Sequence, residues 1–374
     1  MILQGKIEII EVKKEKQYYF AKINHSPFYP DGKGGQIGDR GYIGEAKIIE
    51  VQEDGVLLDR EINPGEHVFE IDEERRFEIS QQHTAQHILS AAFEKVANLK
   101  TVGFKMGEEH STIDLDGTDI KDTIFLESEN LSNKIIADCL IVEEITTSKE
   151  EANHFTLRKP LSEKVEGPVR IIKIGEFDES ACGGFHVKNT GNINLVKIIN
   201  TEKVKGNLTR VYFVAGKRAL KDYSLKHNLI ENLSLKLTSG ISQLDEKIEA
   251  LIQENKEYKT KIKKNCEYAA PFIVNEILKN PLIVQDHKII YYKKENDIAD
   301  FISNLVDLNE YTLIIEDEEN STFMIFSAKI NCREFISKLK EKYDVKGGGS
   351  EVRGNINGKI NLSQIIENLK QYLS

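Results

Sequence analysis

The chain predicts an α+β protein in several parts, and three observations carry that reading. Short runs that alternate apolar and polar residues fill the stretch up to about residue 76. Helix-period and strand-period segments mix from Ile79 to Val214. A heptad stretch then separates them from a last segment in which strands and helices alternate. At 374 residues the sequence is too long for one ordinary domain and ample for two or three cores.

The N-terminal runs, Lys6–Ile10, Tyr18–Ile23 and Val56–Leu58 among them, are broken by Gly, Pro and Asp turns, the pattern of a small β-barrel over residues 1–78. Inside it lies FYPDGKGGQIGDRG, Phe28 to Gly41, which has neither the residue order of a P-loop nor that of a dinucleotide turn and reads by itself as a flexible surface turn.

Residues 79–215 form an α+β domain. Its first stretch, SQQHTAQHILSAAFEKV, predicts a helix from Ser80 to Val96 with Ser80 as N-cap. Ala85, Ile88, Leu89, Ala92, Phe93 and Val96 make its apolar stripe. At roughly 100° per residue that stripe centres nearly opposite His83 and His87, which sit four apart and project together. Val102–Gly107 and Ser111–Asp116 read as paired strands, and Leu126–Asn133 as a turn-rich approach to a helix over Lys134–Thr147. Val169–Ile174 reads as a strand leading toward Cys182-Gly183-Gly184-Phe185-His186, with Ile193–Asn200 and Arg210–Val214 closing the same sheet.

Residues 216–268 are a helical linker. Leu237, Ile241, Leu244, Ile248, Leu251, Asn255, Tyr258 and Ile262 recur at alternating intervals of four and three, a coiled-coil-like seam broken at Ser239-Gly240. The seam fits intramolecular packing and a homodimer equally. Residues 269–374 form a small α/β domain, with strands at Ile283–Val284, Lys288–Tyr292, Tyr311–Ile315 and Thr322–Phe326 and helices at Ile298–Val306, Cys332–Glu341 and Leu362–Leu373. Its Lys346-Gly347-Gly348-Gly349 run, amid Lys338, Lys340, Lys342, Arg353 and Lys359, predicts open backbone N–H groups that an anion can approach, so the domain is expected to bind RNA or to carry the homodimer contact in place of the linker.

Composition narrows the partners. No apolar run approaches the roughly 20 residues of a membrane span, and lysines and glutamates stand where a signal peptide has its apolar core, so the chain is expected in the cytoplasm with no membrane partner. A net charge of −10 argues against a uniformly basic nucleic-acid binder but not against locally gathered positive charge, such as Lys259, Lys261, Lys263 and Lys264. Of four scattered cysteines, Cys139, Cys182, Cys266 and Cys332, only Cys182 has a ligand for company.

Two imidazoles on a helix with a thiolate and an imidazole on a turn make a His3Cys set whose nitrogen and sulfur donors suit zinc best. The expected ligands are His83, His87, Cys182 and His186, one Zn2+ per chain. His25, His67, His110 and His154 lack a second donor at metal spacing and are assigned surface or structural roles.

HTAQH and CGGFH, preceded by FYPDGKGGQIGDRG and with VGFKMGEEHSTIDLDG between them, resemble in order and spacing the editing half of alanyl-tRNA synthetases and the AlaX trans-editing proteins. The resemblance covers roughly residues 1–215, and more weakly the rest, whose VKGGGSEVRGNING is similar to the DHH-associated tail of those synthetases, as in the long AlaX class. It implies a zinc-bearing editing domain that hydrolyses mischarged tRNA(Ala), with serine and also glycine as the misplaced amino acid. Lacking a recognisable nucleotide-activating domain, the chain would act in trans. The resemblance further implies catalytic roles for Gln36, His83, His87 and Cys182, and substrate or tRNA contacts for Gln36, Thr84, Phe185, Lys346, Gly347, Gly348 and Gly349. Where Phe185 stands the family often has Thr, so the aromatic ring is expected to reshape the amino-acid pocket. Four protein donors would close a tetrahedral site, so the ion either activates water, through a fifth ligand or the loss of one, or anchors the substrate. The competing reading is a non-catalytic tRNA-binding protein with a structural zinc.

Overall fold

The alternating runs at the start of the chain become six strands, β1 (Gln4–Glu15), β2 (Tyr18–Asn24), β3 (Gly41–Ile43), β4 (Ala46–Val51), β5 (Gly55–Leu58) and β6 (Gly65–Ile71). In this computed structural model, which describes residues 3–161, 167–294 and 298–374, they close into a barrel in the order β1-β2-β5-β4-β3-β6. Ile7, Ile9, Ala21, Ile23, Ile48, Leu58 and Phe69 point inward and fill it, as alternation along each strand requires.

The Phe28–Gly41 stretch is not a flexible turn. The Asp31 carboxylate accepts from the N–H groups of Gly38 at 2.8 Å and Val51 at 2.9 Å and pairs with Arg40. Asp39, fully buried, accepts from Tyr29 N–H at 2.7 Å and from the Arg76 guanidinium. Two aspartates thus replace the regular ladder that this segment lacks, and they deliver Gln36 to the first long helix.

That helix, α1 (Glu73–Ala97), starts earlier than its sequence suggests. Asp72 is the N-cap, accepting from Arg75 N–H at 2.9 Å. Ser80 lies two turns inside and turns its hydroxyl back onto the Arg76 carbonyl at 2.8 Å, the usual recourse of a mid-helix serine. Every residue from Ile79 to Phe93 is buried. Ala85, Ile88, Leu89 and Phe93 dock into the domain core, while the histidine side is covered by the segment that bears Cys182.

After β7 (Thr101–Met106) and β8 (Ser111–Leu115) comes α2 (Asp122–Ala137). The helix expected over Lys134–Thr147 is therefore misplaced: Ile124, Leu131 and Ile135 carry the helical face earlier in the chain. Cys139, at φ 52, stops the helix, and the β-branched residues that follow form β9 (Val142–Thr147). A short helix, α3 (Lys149–Ala152), precedes β10 (Val169–Ile174), β11 (Asp178–Ala181), β12 (Val196–Val204) and β13 (Leu208–Ala215). These strands do not make one sheet. They form β11-β10-β9 and, separately, β12-β13-β8-β7.

Helices α4 (Gly216–Leu237) and α5 (Leu244–Ile277) flank the expected break at Ser239-Gly240. The chain divides into compact units Met1–Asn232 and Leu233–Ser374, so the division falls within α4. The heptad seam stays largely open to solvent, with Ile241 53 % and Ile262 50 % exposed. The last turns of α5, through Cys266, Ala270 and Val274, enter the core of the second unit; the helix is continuous across the linker boundary expected at 268.

The second unit has one sheet, ordered β14-β15-β16-β17-β19-β18. Its strands are β14 (Leu282–Val284), β15 (His287–Lys293), β16 (Tyr311–Asp317), β17 (Thr322–Phe326), β18 (Val345–Gly349) and β19 (Arg353–Gly358). Helices α6 (Ala299–Leu305), α7 (Cys332–Lys342) and α8 (Leu362–Leu373) match their expected places. The triple glycine, expected to leave backbone N–H groups open, is drawn into the sheet. It is the edge strand β18, paired with β19 from Val345↔Gly358 to Gly349↔Gly354. A Cβ at Gly347 or Gly349 would lie 2.2 or 2.1 Å from a carbonyl oxygen of β19, so close backbone approach sets the residue type.

Candidate metal centre

Helix α1 supplies His83 and His87 one turn apart, and the segment leaving β11 supplies Cys182 and His186. Their ligand atoms all lie within 4.8 Å of one another, and among the described residues no other group of three or more such donors is gathered in this way. The sulfur sits 3.4 Å from His83 Nε2 and 3.3 Å from His186 Nε2. The Gly184 N–H points at it from 3.4 Å, and Arg170 clamps the turn by donating to the carbonyls of Cys182 at 2.9 Å and Gly184 at 2.7 Å.

Each ring has a partner behind it. His83 Nδ1–H donates to Gln36 Oε1 at 2.7 Å. His186 Nδ1–H donates to Thr84 Oγ1 at 3.2 Å, and His87 Nδ1–H faces Asp178 Oδ2 at 3.3 Å. The Thr84 hydroxyl gives its proton to the Ser80 carbonyl at 2.9 Å, leaving its lone pairs for His186 and for Val187 N–H at 3.1 Å. Gln36 Oε1 also accepts from Phe185 N–H at 3.0 Å, which fixes the amide orientation, while Gln36 Nε2 is buried without a partner. With Nδ1 occupied, Nε2 is the nitrogen left to bind a metal, the outer-shell arrangement of metal-ligating histidine. The residues fit a divalent ion.

Charge agrees with that fit. Burial pushes the Cys182 thiol up, but bonds from His186, His83 and His87 outweigh it and hold the group far below the usual thiol range, as a thiolate. Burial lowers His83 and takes His186 to about 3, so both are neutral at pH 7. Burial acts the same way on His87, but Asp178 and Cys182 overcome it and raise His87 to about 9.

A cleft of about 430 Å³ opens over the cluster, within the range of ligand sites. His83, His87 and Cys182 line it with Tyr29, Phe104 and Arg158, whereas His186 lies behind them. Three expected contacts are absent from its lining, Gln36, fully buried behind His83, among them. Thr84 is fully buried behind His186. The Phe185 ring packs 5.0 Å from Tyr29 and 4.5 Å from the Arg76 guanidinium, so it backs the cleft wall instead of forming it. The residues that sequence reasoning missed are Asp178, Arg158 and Arg170. Only Asp178 left a signal, since Asp178, Ser180 and Cys182 alternate at strand period.

Fold and site together define an α+β protein with four donors able to hold a metal ion at the floor of a ligand-sized cleft. Residues 169–212, which carry Cys182 and His186, match the family described as the threonyl and alanyl tRNA synthetase second additional domain. The chain is 30% identical to the alanyl-tRNA editing protein AlaX-L of Pyrococcus horikoshii, over 94% of this chain and 91% of that one. It is 30% identical to the alanyl-tRNA editing protein Aarsd1-A of Xenopus laevis, over 91% of this chain and 84% of the relative. It is 26% identical to the alanine–tRNA ligase of Caldivirga maquilingensis, over 99% of this chain and 43% of that one. The chain belongs to the alanyl-tRNA editing protein family.

Proposed function

We propose that this chain is a trans-editing hydrolase that cleaves the ester between a wrongly attached amino acid, serine above all and also glycine, and the 3′ end of tRNA(Ala), with zinc held by His83, His87, Cys182 and His186. The observation that carries the reading is that three of the four donors line the cleft, so the cluster faces a ligand and is not sealed in a core. Bound there, zinc would supply positive charge to polarise an ester carbonyl, acidify a water or hold a substrate hydroxyl.

The chain's own groups do the rest. Gln36 is fully buried outside the cleft lining and its Oε1 is committed to His83 and Phe185 N–H, so only its unpartnered Nε2 donors remain for an ester carbonyl or a serine hydroxyl that reaches past the lining. A site that satisfies a hydroxyl discriminates strongly against the substrate lacking it, because its own polar group is otherwise left unpaired; serine is thereby favoured over glycine and alanine alike, and glycine is set apart from alanine only by its smaller size. Tyr29 and Phe104 wall the aminoacyl group from solvent. In the second unit, Lys346 on the glycine edge strand, with Arg333 and Lys340 beside it, offers positive charge to the tRNA backbone.

Deacylation of Ser-, Gly- and Ala-charged tRNA(Ala) by the zinc-loaded chain tests the reading. Hydrolysis of the first two, with alanine spared, is expected. Salt-sensitive tRNA binding that leaves all three esters intact over hours would establish the non-catalytic alternative.

A further inference from the structure

The three imidazoles are backed by an amide oxygen, a hydroxyl and a carboxylate, and only the carboxylate, behind His87, is anionic. We propose that Asp178 and Arg158 are positioning residues of the metal centre, fixing the His87 ring and tying it to the Arg158–Leu161 wall of the cleft. The inference rests on the metal reading of the four donors and goes beyond it, because it names what sets their affinity.

Strand alternation along β11 turns Asp178 and Ser180 to the same buried face. The Asp178 side chain is 1 % exposed. Its Oδ2 faces His87 Nδ1 at 3.3 Å and accepts from Ser180 Oγ at 3.1 Å, while Oδ1 accepts from Arg158 Nε at 2.7 Å. Arg158 Nη2 closes the ring on Ser180 Oγ at 3.1 Å. The segment that carries Arg158 is laid along β11 by its own backbone: Arg158 N–H donates to the Glu179 carbonyl at 2.8 Å, and Thr156 N–H to the Glu179 carboxylate at 2.9 Å. One guanidinium is therefore part of the cleft wall and part of the shell behind a ligand.

A buried carboxylate needs a compensating cation, and Arg158 is it. A carboxylate behind an imidazole holds the Nδ1–H tautomer and makes Nε2 the more basic ligand. An amide or hydroxyl does the first with less of the second. His87 is thereby the ligand whose strength depends most on its partner.

The test uses the full-length chain, with zinc affinity measured by competition against a chromophoric chelator and the visible spectrum recorded at saturating cobalt. Asp178→Asn keeps the shape and removes the charge; it is expected to weaken zinc about 10–100-fold, the usual cost of losing an outer-shell partner. Its cobalt bands should shift while the circular dichroism of the metal-free protein stays that of the parent, a result that a merely structural role would not give. Arg158→Met should weaken zinc as well, and Arg158→Lys should recover part of the loss, since an ammonium keeps the charge but not the fork. Zinc binding by Asp178→Asn within about twofold of the parent, below that usual loss, would overturn the proposal alone. A parent chain that binds no zinc would overturn the metal reading and the proposal with it.

Discussion

Replacing Gly184 by alanine challenges the site with a single methyl group. A Cβ there would lie 2.2 Å from His83 Cε1, 2.3 Å from His83 Nδ1 and 2.6 Å from Gln36 Oε1. Both side chains are buried and joined to each other at 2.7 Å, so neither can swing into solvent to make room. At Gly183 the same methyl would meet nothing within 4 Å. Neither glycine has a positive φ, so alanine suffers no backbone strain at either place and the pair separates space from conformation. Gly183→Ala should be neutral or more stable by up to about 0.5 kcal/mol, through the less flexible unfolded chain. Gly184→Ala adds overpacking of about 1–3 kcal/mol to the loss of a buried hydrogen bond at about 1 kcal/mol, a destabilisation of about 2–4 kcal/mol. Moving the His83 ring should also cost zinc affinity tenfold or more, since about 1.4 kcal/mol corresponds to a factor of ten. Urea midpoints of the metal-free variants and a zinc competition titration give both numbers. Equal stability and equal zinc affinity in the two variants would refute this account of the site.

Zinc binding should be steeply pH-dependent. With Cys182 already a thiolate and His83 and His186 neutral, the proton to be displaced is the one His87 holds up to about 9, so log affinity should rise by about one per pH unit from pH ~7 to ~9 and then level off; a slope near two would refute that proton count. By linkage, the stability that His87 gives the metal-free chain is full below its unfolded value of about 6.5 and is lost as pH rises through about 9, which urea midpoints at pH 6 and pH 9.5 would detect. Phe185→Thr removes a contact with Tyr29 and another with Arg76, together worth about 1–2.5 kcal/mol, and should leave zinc affinity intact; unchanged stability with altered choice of amino acid would instead put the ring in the pocket. Lys346→Gln should flatten the salt dependence of tRNA binding by about one in log–log slope, and an unaltered slope would remove the edge strand from the RNA contact.

The gathering of the four donors was legible in the sequence because two i,i+4 donor pairs encode local geometry, and each pair survives whatever the rest of the chain does. The barrel and the C-terminal helices were legible for the same reason, since period two and period 3.6 belong to short segments. What failed was long-range or competitive. Ser80 reads as a cap only if the helix starts there, and Asp72 is a better cap eight residues earlier that propensity near the histidines cannot reveal. Lys134–Thr147 reads as one helix until the left-handed Cys139 divides it. The triple glycine reads as backbone open to an anion because glycine serves exposed N–H groups and close strand approach alike, and only the β19 carbonyls above it distinguish the two. Phe185 and Thr84 share motifs with ligands and so looked like substrate contacts, but adjacency in sequence does not say which side of the cluster a side chain takes.

The least legible feature also explains how such a cluster can be buried at all. In the metal-free chain the Cys182 thiolate, the His87 imidazolium, the Asp178 carboxylate and the Arg158 guanidinium stand in contact in that order and alternate in sign. Each charge is compensated by its neighbour, and desolvation is tolerable only on that condition. The four come from three separate stretches of chain, residues 83–87, 156–158 and 178–186, so no local pattern could announce the sequence of signs. A divalent ion that displaces the His87 proton leaves the Asp178–Arg158 pair balanced and gives the cleft floor one net positive charge. An ester carbonyl that gains negative charge as it is attacked is the kind of group such a floor favours, and removing Asp178, which does not line the cleft, would disturb that balance from behind the ligand without touching the substrate.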